Sequence, residues 1–149
     1  MRRLSRLLRH WRSSKKHGQR LIPASDLERI ERSIYDSQTL NRFHVKVVIE
    51  VALSTHAVLR RTSTRSRACA IFAQRHPHQD VDYRQIVIYI NLADRRVEII
   101  NDPATTQLLA DAQWRAACDL ITRGFASGDA ITGILGALHL LATSLENMS

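Results

Sequence analysis

Four residues stand out as a set that could together ligate a cation or move a proton: His44, Asp80, Asp82 and Asp102. An Asp/Asp/His set can bind a divalent cation. Carboxylate oxygens alone favour Ca²⁺ or Mg²⁺, whereas an imidazole shifts the choice toward Zn²⁺ or Mn²⁺. The same groups can do general acid–base work. His78 lies on the same polar loop as Asp80 and Asp82. The plain alternative is that Asp and His stand there because turns and strand ends favour them. Other catalytic patterns are absent from the sequence: no Gly-rich phosphate loop, no Ser between glycines at an elbow, no Cys/His spacing for zinc. Cys69 and Cys118 both fall on faces expected to be apolar and buried, which argues against a nucleophile; they could form one disulfide, but nothing requires it, and free core thiols are the expectation. Glu50, on the first strand, could serve as an inward functional carboxylate, but is expected rather at a rim or paired with a base.

The four residues are distant in sequence, so the metal reading depends on elements that gather them. The central element is Ile86 to Ile100 (IVIYINLADRRVEII), two apolar runs joined at Ala93-Asp94-Arg95-Arg96. It reads as a β-hairpin. The first run, Ile86 to Leu92, is apolar at nearly every position and should be covered on both faces, as a central strand is. With the turn centred between Ala93 and Asp94, Gln85 faces Asp102. An earlier strand, His44 to Ala52, precedes a helix and then the hairpin, and strand–helix–strand implies a parallel pair with a right-handed crossover. That brings His44 to the open end of the hairpin, with Asp102, Asp82 and Asp80. Asp94-Arg95-Arg96 needs no explanation beyond a solvated turn.

The remaining elements are helices. Ser25 and Glu28 form a capping box for a helix to about Gln38, with Leu27, Ile30 and Ile34 inward. Thr39 to Arg42 reads as a turn, and Ser54 to Arg61 as irregular or one helical turn. A helix from Thr62 or Ser63 to about Arg75 should bury Ala68, Cys69, Ile71 and Phe72, with Pro77 stopping it. Asp111 to about Ala126 places Trp114, Cys118, Ile121 and Phe125 on one face. Ser127-Gly128-Asp129 breaks the chain, and Ala130 to Leu145 follows with Ile134, Leu138 and Leu141 inward. Gly133 and Gly136 suggest close packing, at a cost in helix propensity.

Charge is unevenly placed. The net charge is +8, yet the first 20 residues hold eight of the 22 Lys and Arg and none of the 14 acids. The remainder is therefore neutral, a domain at residues 21–149 with a basic arm at 1–20. Within the arm, Leu4, Leu7, Leu8 and Trp11 recur at helical spacing. Arg2, Arg3, Arg6, Arg9 and Arg12 fill the other positions, and Lys15 and Lys16 follow. Such a helix can lie on an anionic membrane surface, gaining about 1 kcal/mol per base. It can also bind a protein partner, dock its Leu/Trp stripe on the domain, or remain a loosely ordered arm. Nucleic acid is not indicated, since no recognition helix, zinc spacing or aromatic interleaving accompanies the bases. No stretch reaches the ~20 apolar residues of a membrane span, and the N-terminus lacks the apolar core of a secretory signal. The expected location is cytoplasmic, with the inner membrane face as a peripheral address.

From SDLERIERSIYDSQ through IVIYINLADRRVEIIND, the Trp114 helix and the FASGDAITGILGALHLL close, the chain resembles the TPM domain family, over about Pro23 to Leu145. Phe125, Gly128-Asp129 and Gly133 fall at family-like spacing. The resemblance implies an α/β sandwich with a mixed sheet. It also implies, for some members, phosphatase activity and divalent-cation binding, and for others a part in photosystem repair. Many members carry a signal peptide and a C-terminal membrane span; this chain is similar to the short stand-alone bacterial form. Three positions depart from the family pattern. Phe43-His44 stand where Gly-Glu usually enters the first strand, Arg84-Gln85 where an acid or amide and Gly precede the second, and Asp102-Pro103-Ala104 where a Gly-containing loop follows the third. Glycines that let a ligand approach the backbone are thus missing from all three.

The expected fold is α/β, a two- or three-layer sandwich with a mixed sheet built on a βαβ unit plus a β-hairpin. The expected function is a non-catalytic binding module at a partner or membrane surface. The alternative is a divalent-metal-dependent phosphatase-like hydrolase using His44, Asp82 and Asp102, with Ca²⁺ or Mg²⁺ as the cation. No small-molecule substrate is specified by the sequence.

Overall fold

The computed structural model describes residues 22–51, 63–74 and 84–148. The basic arm, His78, Asp80, Asp82 and the 54–61 segment lie outside the described residues. Within them the chain forms α1 (Ala24–Asp36), α2 (Gln38–Arg42), β1 (Val45–Glu50), α3 (Thr64–Ala73), β2 (Ile86–Asn91), β3 (Arg96–Asn101), α4 (Pro103–Thr106), α5 (Asp111–Ala126) and α6 (Ala130–Glu146).

Among the described residues the three strands form one mixed sheet in the order β1-β2-β3. β1 runs parallel to β2 from Val45↔Ile86 to Glu50↔Asn91. β3 returns antiparallel, from Asn91↔Arg96 to Ile86↔Asn101, the register expected of the hairpin. β2 is buried at all six positions, because its two faces meet different layers. Ile86, Ile88 and Ile90 join the large core under α1, α2, α5 and α6. Val87 and Tyr89 join Ala68 and Ile71 of α3 in a smaller core on the other face. Period-two alternation on a strand covered on both sides gives an unbroken apolar run, and the result is a three-layer α/β sandwich.

The helices differ from expectation in instructive ways. α1 starts at Ala24 with Pro23 as N-cap and no side-chain cap, so the Ser25–Glu28 box does not form. The Pro23 carbonyl instead accepts from the amides of Asp26 and Leu27. Leu27 is 43% exposed, because α1 turns only Ile30 and, in part, Ile34 toward the core. Thr39–Arg42 belongs to a short helix rather than a turn: the Ser37 side chain accepts from the Leu40 amide and caps it, and Leu40 is buried. α3 is capped by Ser63. It buries Ala68 and Ile71 but leaves Cys69 exposed, since the face toward the sheet is narrow. α4 was not foreseen.

α5 and α6 pack along each other with their backbones in contact. A Cβ added to Gly133 would stand 2.6 Å from the Leu120 carbonyl oxygen and 3.0 Å from Gly124 Cα. Gly124 is therefore the counterpart of Gly133. Gly136 meets only Leu120 Cδ1, at 3.9 Å, so close packing requires glycine at 133 and not at 136. Gly128, with φ +79, takes the left-handed residue that ends α5. Asp129 then caps α6 through Thr132.

Candidate functional site

At the open end of the sheet, β2 starts between the entry to β1 and the exit of β3. Asp102 follows β3 and is the N-cap of α4, whose first residue is Pro103. Its Oδ1 accepts from the Thr105 amide at 2.9 Å. Its Oδ2 accepts from the Thr105 hydroxyl at 2.6 Å and the Gln85 amide at 3.1 Å. Asp102 is 9% exposed. Burial pushes its carboxyl up, but the hydrogen bonds from Thr105 and Gln85 outweigh burial and hold it below the ordinary value.

His44 is exposed and has φ 45. This left-handed residue, whose amide donates to the Asn41 carbonyl, ends α2 and turns the chain into β1. In register it stands beside Gln85, with β2 between it and Asp102, a backbone separation of about 10 Å. Phe43, just before it, is buried, and the guanidinium groups of Arg42 and Arg84 lie 5.9 and 5.6 Å from its ring centre, in cation–π range. The structure thus brings His44 and Asp102 to one end of the sheet, while Asp80 and Asp82 lie outside the described residues. Among the described residues no group of three or more His, Cys, Asp or Glu side chains could hold a metal ion.

Two further sites were missing from the sequence reading. At the turn end of the sheet, a polar chain crosses the α3 face. Glu50 Oε1 accepts from Arg67 at 2.9 and 2.7 Å. The Tyr89 hydroxyl donates to Glu50 Oε2 and accepts from the Asn91 amide, and Asn91 Oδ1 accepts from the Asp94 amide. Asp94 accepts from Thr64 of α3. Glu50 is paired with a base, as expected, but the buried Tyr89 and Asn91 sat unmarked within an apolar run. Burial pushes the Tyr89 phenol up to about 12, and the Glu50 hydrogen bond raises Arg67. The network ties β1, β2, the turn and α3 together.

The second is a groove of about 360 Å³ along the outer side of β3, lined by Arg65, Glu98, Ile99, Asn101, Trp114 and Cys118 among others. Arg65 pairs with Glu98 at 3.1 Å, and the Trp114 indole donates to the Thr106 carbonyl. Burial, with the Glu98 and Asp119 charges, pushes the Cys118 thiol up to about 11, against a hydrogen bond from the Ile99 amide.

The sequence model of the TPM domain matches residues 17–144. The chain belongs to the TPM domain family. Its fold is similar to the NMR structure of the BA42 protein from the psychrophilic bacterium Bizionia argentinensis, with a TM-score of 0.69 and 18% identity over 85% of this chain and 83% of that one. No curated protein sequence matches the chain. At 18% identity the likeness to BA42 carries the TPM fold and nothing finer. Among the described residues of this TPM protein no helix is long and apolar enough to cross a membrane.

Proposed function

We propose that this TPM protein is a non-catalytic binding module, a domain at residues 21–149 brought to an anionic membrane surface or a protein partner by the basic arm at 1–20. The observation that carries the reading is the Asp102 carboxylate. Both its oxygens are occupied, by the Thr105 amide and hydroxyl and by the Gln85 amide. A cation at the open end would have to displace bonds that cap α4 and hold β2 to the exit of β3. The Phe43 ring packed with Arg42 and Arg84 sets bulk and positive charge where a cation would approach.

The test uses the full-length protein and mixed phosphatidylserine/phosphatidylcholine vesicles at low salt. Binding is expected, and it should be lost when Arg6, Arg9 and Arg12 are replaced by Glu. No vesicle binding would remove the membrane arm of the proposal. A parallel melting scan with millimolar Ca²⁺, Mg²⁺, Mn²⁺ or Zn²⁺ should show no upward shift, since only a ligand selective for the folded state raises the melting temperature. A metal-dependent rise, with phosphomonoester hydrolysis lost in Asp102→Asn, would establish the hydrolase reading instead.

A further inference from the structure

The outer edge of β3 has a direction that the hydrogen bonds fix. The Leu92 amide donates to the Glu50 carbonyl, so the even-numbered residues of β2 turn toward β1 and Val87, Tyr89 and Asn91 toward β3. Their partners are Ile100, Glu98 and Arg96. Alternation along a strand then leaves Val97, Ile99 and Asn101 with their amides and carbonyls facing outward. No strand covers this edge among the described residues. An open edge is a template for another strand, and here it forms one wall of the groove between Arg65 of α3 and Trp114 of α5. Asn101 Oδ1, shielded from solvent and without a donor, lies in the same wall.

Charge discriminates among possible occupants. Within the groove Arg65 is neutralised by Glu98. At the hairpin end Arg95 and Arg96 are both exposed, and among the described residues neither forms an ion pair. A second copy paired antiparallel would set Arg96 beside Asn101 and Asp102 of its neighbour, and Asp102 is already spent on Thr105 and Gln85. An extended segment with an acidic residue beside Arg96 complements the two arginines. Antiparallel pairing is the more stable per residue, and it puts that acid toward the C-terminal end of the segment.

We infer that the β3 edge is a docking site for an extended peptide of another protein, which adds as an antiparallel strand beside Val97–Asn101, with β-branched side chains over the groove and an acidic residue at its C-terminal end beside Arg96. Main-chain hydrogen bonds supply the affinity and alternate side chains the selectivity, as in strand addition generally. The proposal is independent of the Asp102 reading, since the groove opens on the side of β3 away from Gln85.

The probe is a synthetic peptide of alternating Thr and Val with one Asp near its C-terminus, read by amide hydrogen exchange on the full-length protein. The peptide should slow exchange at Val97 and Asn101 at least tenfold and leave Glu98 and Ile100, already bonded to β2, unchanged. Replacing its Asp by Lys, or moving the Asp to the N-terminal end, should weaken binding several-fold. Val97→Pro, which removes an outward amide that β2 does not use and which edge strands tolerate, should abolish the protection. Should that variant fail to fold, the surface change Arg96→Glu should weaken binding several-fold. The proposal is overturned if millimolar peptide leaves Val97 and Asn101 unprotected, if all three peptides bind alike, or if the same amides become protected by concentration-dependent dimerisation without peptide.

Discussion

Replacing Asp102 by Ala would remove two supports at once. The first is the N-cap of α4, where the Thr105 amide loses its acceptor; caps of this kind contribute about 0.5–2 kcal/mol. The second is the bond to the Gln85 amide, a buried donor that would be left unsatisfied at about 1–3 kcal/mol. Together they predict a loss of roughly 2–4 kcal/mol, a large share of a typical domain stability of about 5–15 kcal/mol. The melting temperature should fall by roughly 5–15 °C. Asp102→Asn keeps one carbonyl oxygen and should lose about half as much. Urea titration with an unchanged m-value is the appropriate assay. The pH dependence has a defined sign. The folded carboxyl lies below its ordinary value of 3.8, so its contribution is present above about pH 3.8 and is lost as pH falls through the lower folded value. The gap between wild type and Asp102→Ala should narrow below pH 3.8. An Ala variant within about 0.5 kcal/mol of wild type at pH 7 would refute the account of Asp102 as a brace, and with it the main support for a non-catalytic cleft.

Two other expectations are independent of that site. Gly133→Ala should cost about 1–3 kcal/mol through overpacking, because its Cβ meets backbone atoms of Leu120 and Gly124 that cannot rotate away. Gly136→Ala, whose Cβ would meet only Leu120 Cδ1 at an ordinary contact distance of 3.9 Å, should be neutral or gain up to about 1 kcal/mol of helix propensity, and thermal melts followed by circular dichroism separate the two. Alkylation with iodoacetamide at pH 8, followed by mass spectrometry, should modify the exposed Cys69 well before Cys118, whose thiol is pushed up to about 11; equal rates would contradict the burial of Cys118.

The hairpin was legible because two physical signals coincide there: a run with no polar face, and a turn whose position fixes every cross-strand pair. Ile86↔Asn101 and the meeting of Gln85 with Asp102 follow from the turn centre alone. The role of Asp102 was less legible, although a signal existed. Asp-Pro with Thr105 three residues after the Asp is an N-cap, a first-turn proline and a capped amide donor. Leu27 and Cys69 were misplaced because helical periodicity gives a stripe but not its width, which depends on the neighbour. Gly124 went unmarked because only the position of α6 makes its missing side chain necessary. Tyr89 and Asn91 read as part of an apolar strand; their partners Glu50, Asp94 and Thr64 come from three other segments, and no local pattern joins them.

The parallel pairing of β1 with β2 has a cost in chain entropy. Asn91 and Arg96 close a short loop, whereas Val45 and Ile86 stand 41 positions apart. Loop closure grows with the logarithm of length, so docking β1 costs about 2 kcal/mol more than closing the hairpin. The hairpin and the α5–α6 pair are local in sequence, and β1 is the commitment made at long range. The strand that delivers His44 to the open end should therefore open first, so that the amides of Val48 and Glu50 exchange ahead of those of Val87 and Tyr89. Loss of β1 alone would strip away the open end and the Glu50–Arg67 link together, while leaving the outer edge of β3 in place.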